Sequence, residues 1–176
     1  MAILQILQYP DIRLHTIAVP VLVVTAVTRK LISDMAETMY SAPGVGLAAT
    51  QVNVHEQIIV MDISETQDQL LVFVNPEIIA SSGESMCEEG CLSVPGVYEK
   101  IRRAEHVTVR ALNTHGESFT LEADGLLAIC IQHETGLFER RKIFNKHLSL
   151  KMIHLMLNTD RQQPVRFKRE RFTMLI

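Results

Sequence analysis

Hydrophobic positions along the chain fall into two periodicities. Between residues 26 and 39, Val27, Leu31, Met35 and Met39 recur every four positions, which predicts an amphipathic helix. Ser41-Ala42-Pro43-Gly44 stops it. Residues 57–63, built on Ile58-Ile59-Val60-Met61, and residues 70–74 are short apolar runs rich in branched side chains. They predict buried strands joined by a polar hairpin loop. Pro76 breaks the second run, so residues 77–80 are expected as a further strand or a sheet edge. Residues 107–111 and 118–122 alternate apolar with polar, and Asn113-Thr114-His115-Gly116 supplies the turn between them. A helix is predicted over 123–134 and a last one over 148–157. Strands mixed with helices that do not alternate regularly predict an α+β fold in a single domain, not a doubly wound sheet.

Composition adds bounds. A chain of 176 residues, 47% hydrophobic and 21% charged, is long enough for one sizeable core. The net charge of −3 and the lack of tryptophan give no reason to expect DNA or another polyanion as partner. The tail differs. From Thr159 it carries Arg161, Arg166, Lys168, Arg169 and Arg171 against Asp160 and Glu170, which is +5 − 2 = +3. Pro164 interrupts any helix there, so residues 159–176 are expected as a basic solvated tail on a domain of residues 1–158. Three cysteines, Cys87, Cys91 and Cys130, do not make a disulfide framework and point to a reducing cytoplasm. The first residues lack the pattern of a signal peptide, and no apolar run is long enough to span a membrane. Nothing signals an oligomer, and a monomer is the default.

Three segments carry residue types suited to chemistry. Gly44-Val45-Gly46-Leu47-Ala48-Ala49-Thr50-Gln51 reads either as a tight turn into a small-residue strand or as backbone that a peptide approaches closely. In the second case the Gln51 amide can polarise a carbonyl. Glu88-Glu89-Gly90-Cys91-Leu92-Ser93 holds either a packed thiol or a thiolate metal ligand with backbone N–H groups beside it. Cys87, four residues earlier, invites a two-thiolate reading. Gln132-His133-Glu134 ends an apolar helix. His133 is either a hydrogen-bonded core residue or one ligand of a hydrolytic metal site with Glu134 as base. A second ligand would be expected four residues on, about 40° around the helix, but that position holds Leu137.

In order, spacing and wording the three segments resemble the signature motifs of peptide deformylases: Gly-x-Gly-x-Ala-Ala-x-Gln, Glu-Gly-Cys-Leu-Ser and Gln-His-Glu-x-Asp-His. The resemblance also covers Tyr9-Pro10-Asp11, Ile58-Ile59-Val60-Met61-Asp62 and Glu122-Ala123-Asp124-Gly125-Leu126-Leu127-Ala128. It implies mixed, mostly antiparallel strands around a central metal-site helix. It implies Cys91 and His133 as ligands of a divalent metal, Fe2+ first, with Ni2+, Co2+ or Zn2+ able to replace it. Glu134 would be the proton-transfer group, and Gln51 with the Leu92 backbone N–H would hold the formyl oxygen. Gly46 would pair with the substrate backbone, while Val45, Leu92 and Ile129 would line the methionine pocket. The implied partners are N-formylmethionyl nascent peptides and the ribosome near its exit tunnel.

The third motif departs from the family. Gly136-Leu137 stands where the Asp-His pair is expected, which removes one metal ligand. His147, His154 and Cys130 are the remaining candidate donors nearby in the chain. Phe144 and Leu148-Ser149 return to the family's Phe…Leu-Ser pattern with one extra residue, so the departure is local. Three readings follow: a deformylase working through two protein ligands, a metal-deficient relative that binds nascent peptide or ribosome, or a damaged gene copy with no selected function.

Overall fold

A computed structural model describes residues 2–138 and 174–175. Helix α1 (Ala26–Ser41) is followed by the short strand β1 (Gly46–Ala48), a 3-10 turn (Ala49–Val52), β2 (Ile58–Met61) and β3 (Leu71–Ser82). Then come β4 (Ser85–Cys91), β5 (Val94–Arg103), β6 (His106–Leu112), β7 (Ser118–Asp124), helix α2 (Gly125–Gly136) and β8 (Met174–Leu175). Five strands form one antiparallel sheet in the order β1-β2-β3-β6-β7, and β5-β4-β8 form a second. The architecture is the α+β fold expected, with α2 buried beside the first sheet. Helix α2 is apolar on nearly every side, with Ala128, Ile129, Cys130 and Ile131 all buried, which is the signature of a helix enclosed by its own domain.

Three local expectations are corrected. Met35 and Met39 of the expected row are fully buried, whereas Val27 is 80% exposed, and the buried face extends over Thr28, Ile32, Asp34, Ala36 and Thr38. The reason is the N-terminal segment, which lies along α1: the Ala2 N–H donates to Asp34 Oδ1 (2.9 Å) and the Leu4 N–H to Thr38 Oγ1 (2.8 Å). Those bonds make a polar flank of the helix worth burying.

Pro76 does not end its strand. The register of β3 against β6 shifts between Val74 and Glu77, and this bulge accommodates a residue with no N–H to contribute. Helix α2 begins at Gly125, two residues later than expected, because Ala123 and Asp124 still pair with Val107 and His106 of β6. The hairpin β4–β5 was not legible at all, since Ser85–Cys91 and Val94–Arg103 mix charges with Gly and Pro. Of the tail, Met174 and Leu175 pair in parallel with Glu89 and Gly90. The predicted helix over 148–157 and the boundary at 158/159 lie outside the described residues. No helix among the described residues is long and apolar enough to cross a membrane.

The bulge in β3 is held by Asn75, whose backbone sits at φ 53°. Its amide accepts from the Val21 N–H and donates to the Val21 carbonyl, both at 2.8 Å. Asn75→Ala removes both bonds and leaves a left-handed backbone without the side chain that tolerates it. Urea unfolding should show a loss of about 1–3 kcal/mol, and Asn75→Gly should recover part of it by relieving the backbone.

Candidate metal and hydrolytic site

The three chemistry-bearing segments converge. The first enters as β1 and the 3-10 turn, which puts Gln51 fully inside the protein. The second is the end of β4 and the tight turn into β5, which presents Cys91, Leu92 and Ser93. The third is the C-terminal half of α2, where His133 and Glu134 are both buried. Gly44 lets the first two segments touch: a Cβ there would lie 2.7 Å from Leu92 Cδ1, closer than carbon atoms approach. The N-terminal segment clamps the same pair, since the Leu7 N–H donates to the Gln51 carbonyl (2.7 Å) and the Tyr9 N–H to the Ser93 carbonyl (2.8 Å).

Within this locus the Gln51 amide orientation is set. The Ala48 N–H donates to Oε1 at 2.8 Å, so Nε2 faces Ser93 Oγ (3.2 Å) and Cys91 Sγ (3.7 Å). Burial pushes the Cys91 thiol up to about 12, the nearby Glu134 carboxyl adds to this, and the Ser93 and Val94 backbone N–H groups oppose it. Such a sulfur ionises at neutral pH only when a cation compensates it. Burial likewise raises the Glu134 carboxyl to about 8, with the Glu89 charge reinforcing and Arg103 opposing.

Sequence reasoning missed the group that orients His133. Glu89 is a buried carboxylate two residues before Cys91. It accepts two 2.8 Å bonds from Arg103 and sits 2.8 Å from His133 Nδ1. The Nδ1–H therefore points at Glu89, and the Nε2 lone pair is left as the ligating atom. Burial alone would raise the Glu89 carboxyl, but the bonds from Arg103 and His133 more than offset it and bring it down to about 2. The available signal was that Glu89 opens the Glu-Gly-Cys-Leu-Ser motif, although no role was assigned to it. Nothing in the sequence linked it to Arg103.

The donor set suits a metal in part. His133 Nε2 and both Glu134 carboxyl oxygens are buried with no hydrogen-bond partner among the described residues. Of these, His133 Nε2, with Cys91, is the group a bound cation would satisfy. The third donor is missing. Helix α2 carries its hydrogen bonding through Gly136, and the Leu137 N–H still reaches the Glu134 carbonyl (3.1 Å). Position 137 thus stays on the helical path, and its alkyl chain closes a cavity of ≈ 10 Å³ onto Gln51, Cys91 and Ser93. Among the described residues no three His, Cys, Asp or Glu side chains are grouped to hold a metal ion.

The other candidate donors are accounted for. Cys130 is a packed thiol donating to the Val45 carbonyl (3.9 Å). Cys87 lies four residues from Cys91 along β4, about 13 Å of strand, and the two-thiolate reading falls. His147 and His154 lie outside the described residues. Of the substrate-contact residues, Ile129 is buried in the core cluster against which Val45 packs, and Gly46 pairs with Met61 in β1, the end strand of its sheet.

Glu89→Gln should destabilise the fold by about 3–5 kcal/mol at neutral pH, because it strands the Arg103 charge in a largely buried setting. The Glu89 carboxyl is lower in the folded state than its ordinary 4.5, so its contribution is complete above pH 4.5 and lost as pH falls toward 2. Unfolding followed from pH 7 to pH 2 should therefore show a shallower acid loss in E89Q than in the wild type.

Comparison with known proteins gives the family. The family model for polypeptide deformylase matches residues 3–151, past the altered third motif. Peptide deformylase 2 of Nitrosomonas europaea is 61% identical over 149 residues, covering 85% of this chain and 80% of that protein. Peptide deformylase 1 of Ralstonia nicotianae is 56% identical over 165 residues, 93% of this chain and 97% of that one. The crystal structure of a peptide deformylase from Legionella pneumophila superposes with a TM-score of 0.83 at 47% identity, covering 89% of this chain and 92% of that one. That of the Ehrlichia chaffeensis enzyme in complex with actinonin does so with a TM-score of 0.83 at 34% identity, covering 92% and 100%. With the motifs, the fold and these relatives in agreement, the chain belongs to the polypeptide deformylase family.

Proposed function

We propose that this protein hydrolyses the formyl group from the N-formylmethionine of nascent polypeptides, releasing formate and a free α-amine. The observations that support the reading are that Gln51 Nε2 faces Cys91 Sγ, that Glu89, two residues before Cys91, bonds His133, and that His133 Nε2 and both Glu134 carboxyl oxygens are buried without a partner among the described residues. The family relationship favours an enzyme over a metal-deficient binding relative.

Cys91 and His133 would hold the metal, with ferrous iron as the first expectation and nickel, cobalt or zinc as substitutes. The chemistry a divalent ion supplies in such a site is that of a Lewis acid, lowering the pKa of water and polarising a carbonyl. Glu134 accepts a proton from the attacking water and delivers it to the departing amine, so that a C–O bond forms and the C–N bond breaks with no other reagent. Its raised carboxyl suits a group that must both take and give a proton near neutral pH. Gln51 Nε2 and the Leu92 N–H donate to the formyl oxygen as negative charge builds on it. Gly46 sits on the end strand β1, an edge that an extended peptide can join as an added strand. Val45 and Ile129, packed in one apolar cluster, accept the methionine side chain.

Leu137 sets the limit on this activity, because catalytic sites of this kind hold the metal with three protein ligands. Loaded with ferrous iron without oxygen, the wild type should release formate slowly from an N-formylmethionyl peptide. Leu137→His should raise both metal per chain and kcat/KM by at least about 10–100-fold. Glu134→Gln in that background should keep the metal and lose about 10²-fold or more in rate. A metal-loaded L137H protein that releases no formate would overturn the reading. Work as a cytoplasmic monomer beside the ribosome exit tunnel belongs to the same proposal, tested by gel filtration and co-sedimentation with ribosomes.

A further inference from the structure

Ser93 lies in the turn between β4 and β5, 3% exposed, and none of the roles above uses its side chain. Its hydroxyl oxygen is 3.2 Å from Gln51 Nε2, and its carbonyl accepts from the Tyr9 N–H at 2.8 Å. The Ala48 N–H assigns the Gln51 amide oxygen, which leaves both amide hydrogens on the side of Ser93 and Cys91. The two acceptors they meet are unequal. A hydroxyl oxygen at 3.2 Å is a sound partner, whereas a sulfur at 3.7 Å is a weak one.

We propose that Ser93 is a positioning residue for Gln51, holding one amide hydrogen so that the other stays aimed past Cys91 at the place where the formyl oxygen gains charge. The inference rests on the deformylase reading and deepens it. The hydrogen on sulfur is given up cheaply when a better acceptor arrives, and the hydrogen on Ser93 is not. The terminal torsion of a glutamine is soft, so the Ala48 bond alone would act as a pivot about which the amide swings. Ser93 removes that freedom, and the backbone bond from Tyr9 keeps Ser93 itself in place. The N-terminal segment thereby takes part in the site without contacting the reacting atoms.

The test compares Ser93→Ala and Ser93→Thr, each in the wild-type chain and in L137H. Two readouts are used: steady-state formate release from an N-formylmethionyl peptide, and the NMR exchange protection of the Gln51 side-chain amide protons. S93A should lower kcat by about tenfold with KM nearly unchanged, a smaller loss than the 10²–10³-fold seen on deleting an oxyanion donor. It should also speed Gln51 amide exchange by about tenfold, as expected for one lost hydrogen bond worth about 1.4 kcal/mol, while backbone protection elsewhere stays as in the wild type. S93T should retain both properties. Unchanged Gln51 exchange in S93A overturns the proposal, as does a loss of protection spread through the domain, which would make the role structural. If metal-loaded L137H proves inactive, the deformylase reading fails by itself, and the exchange measurement still decides whether Ser93 holds Gln51.

Discussion

The chain of contacts from Arg103 through Glu89 to His133 is the constraint on which the site depends. It joins the β4–β5 hairpin to α2 through a carboxylate that is 1% exposed at its side chain. One ionic partner, Arg103, and one hydrogen-bonding partner, His133, satisfy that carboxylate, so its burial is tolerated. The consequence is directional. One nitrogen of His133 is committed to Glu89, and the other is buried with no partner among the described residues. Arg103 reaches further, placing Nη1 3.5 Å from the Gln132 carbonyl, while the Gln132 amide exchanges hydrogen bonds with the Ala104 backbone at 2.9 Å. The helix is thus fixed in rotation as well as position, which a metal ligand requires far more than a core residue does.

Around this link the protein gathers unsatisfied polarity on purpose. Cys91 is pushed toward its neutral thiol, and Glu134 toward its neutral acid. A fold tuned for stability alone would fill such a space with alkyl groups. That description fits one position, Leu137, whose side chain occupies the helical path where a third donor is expected. The departure is therefore confined. The helix, the hairpin and the orienting carboxylate keep their geometry up to the residue that has changed, and the family match continues past it to residue 151.

Much of the fold was legible from periodicity. Residues 57–63 and 107–122 gave their strands, and the turn at Asn113–Gly116 needs only local chemistry, with Asn113 Oδ1 accepting from the His115 and Glu117 N–H groups. The β4–β5 hairpin was hidden because its stability comes from pairing and from the buried Glu89–Arg103 bond, neither of which leaves an apolar alternation to read. The full width of the buried face of α1 was missed for a related reason. Asp34 and Thr38 look like surface residues until the N-terminal backbone is laid across them.

By itself the sequence determined the α+β class, from periodicity, while the roles expected of Gln51, Cys91, His133 and Glu134 and the ligand missing at Leu137 came from the resemblance of three ordered motifs to a family pattern. Only the tertiary structure decided which groups orient those residues: Glu89 for His133, and Ala48 with Ser93 for Gln51. Glu89 lies 44 positions from His133, and Ser93 lies 42 from Gln51. Contacts at that separation are made by chain packing and strand pairing, and a hydrogen bond between two buried polar groups has no local sequence pattern to announce it.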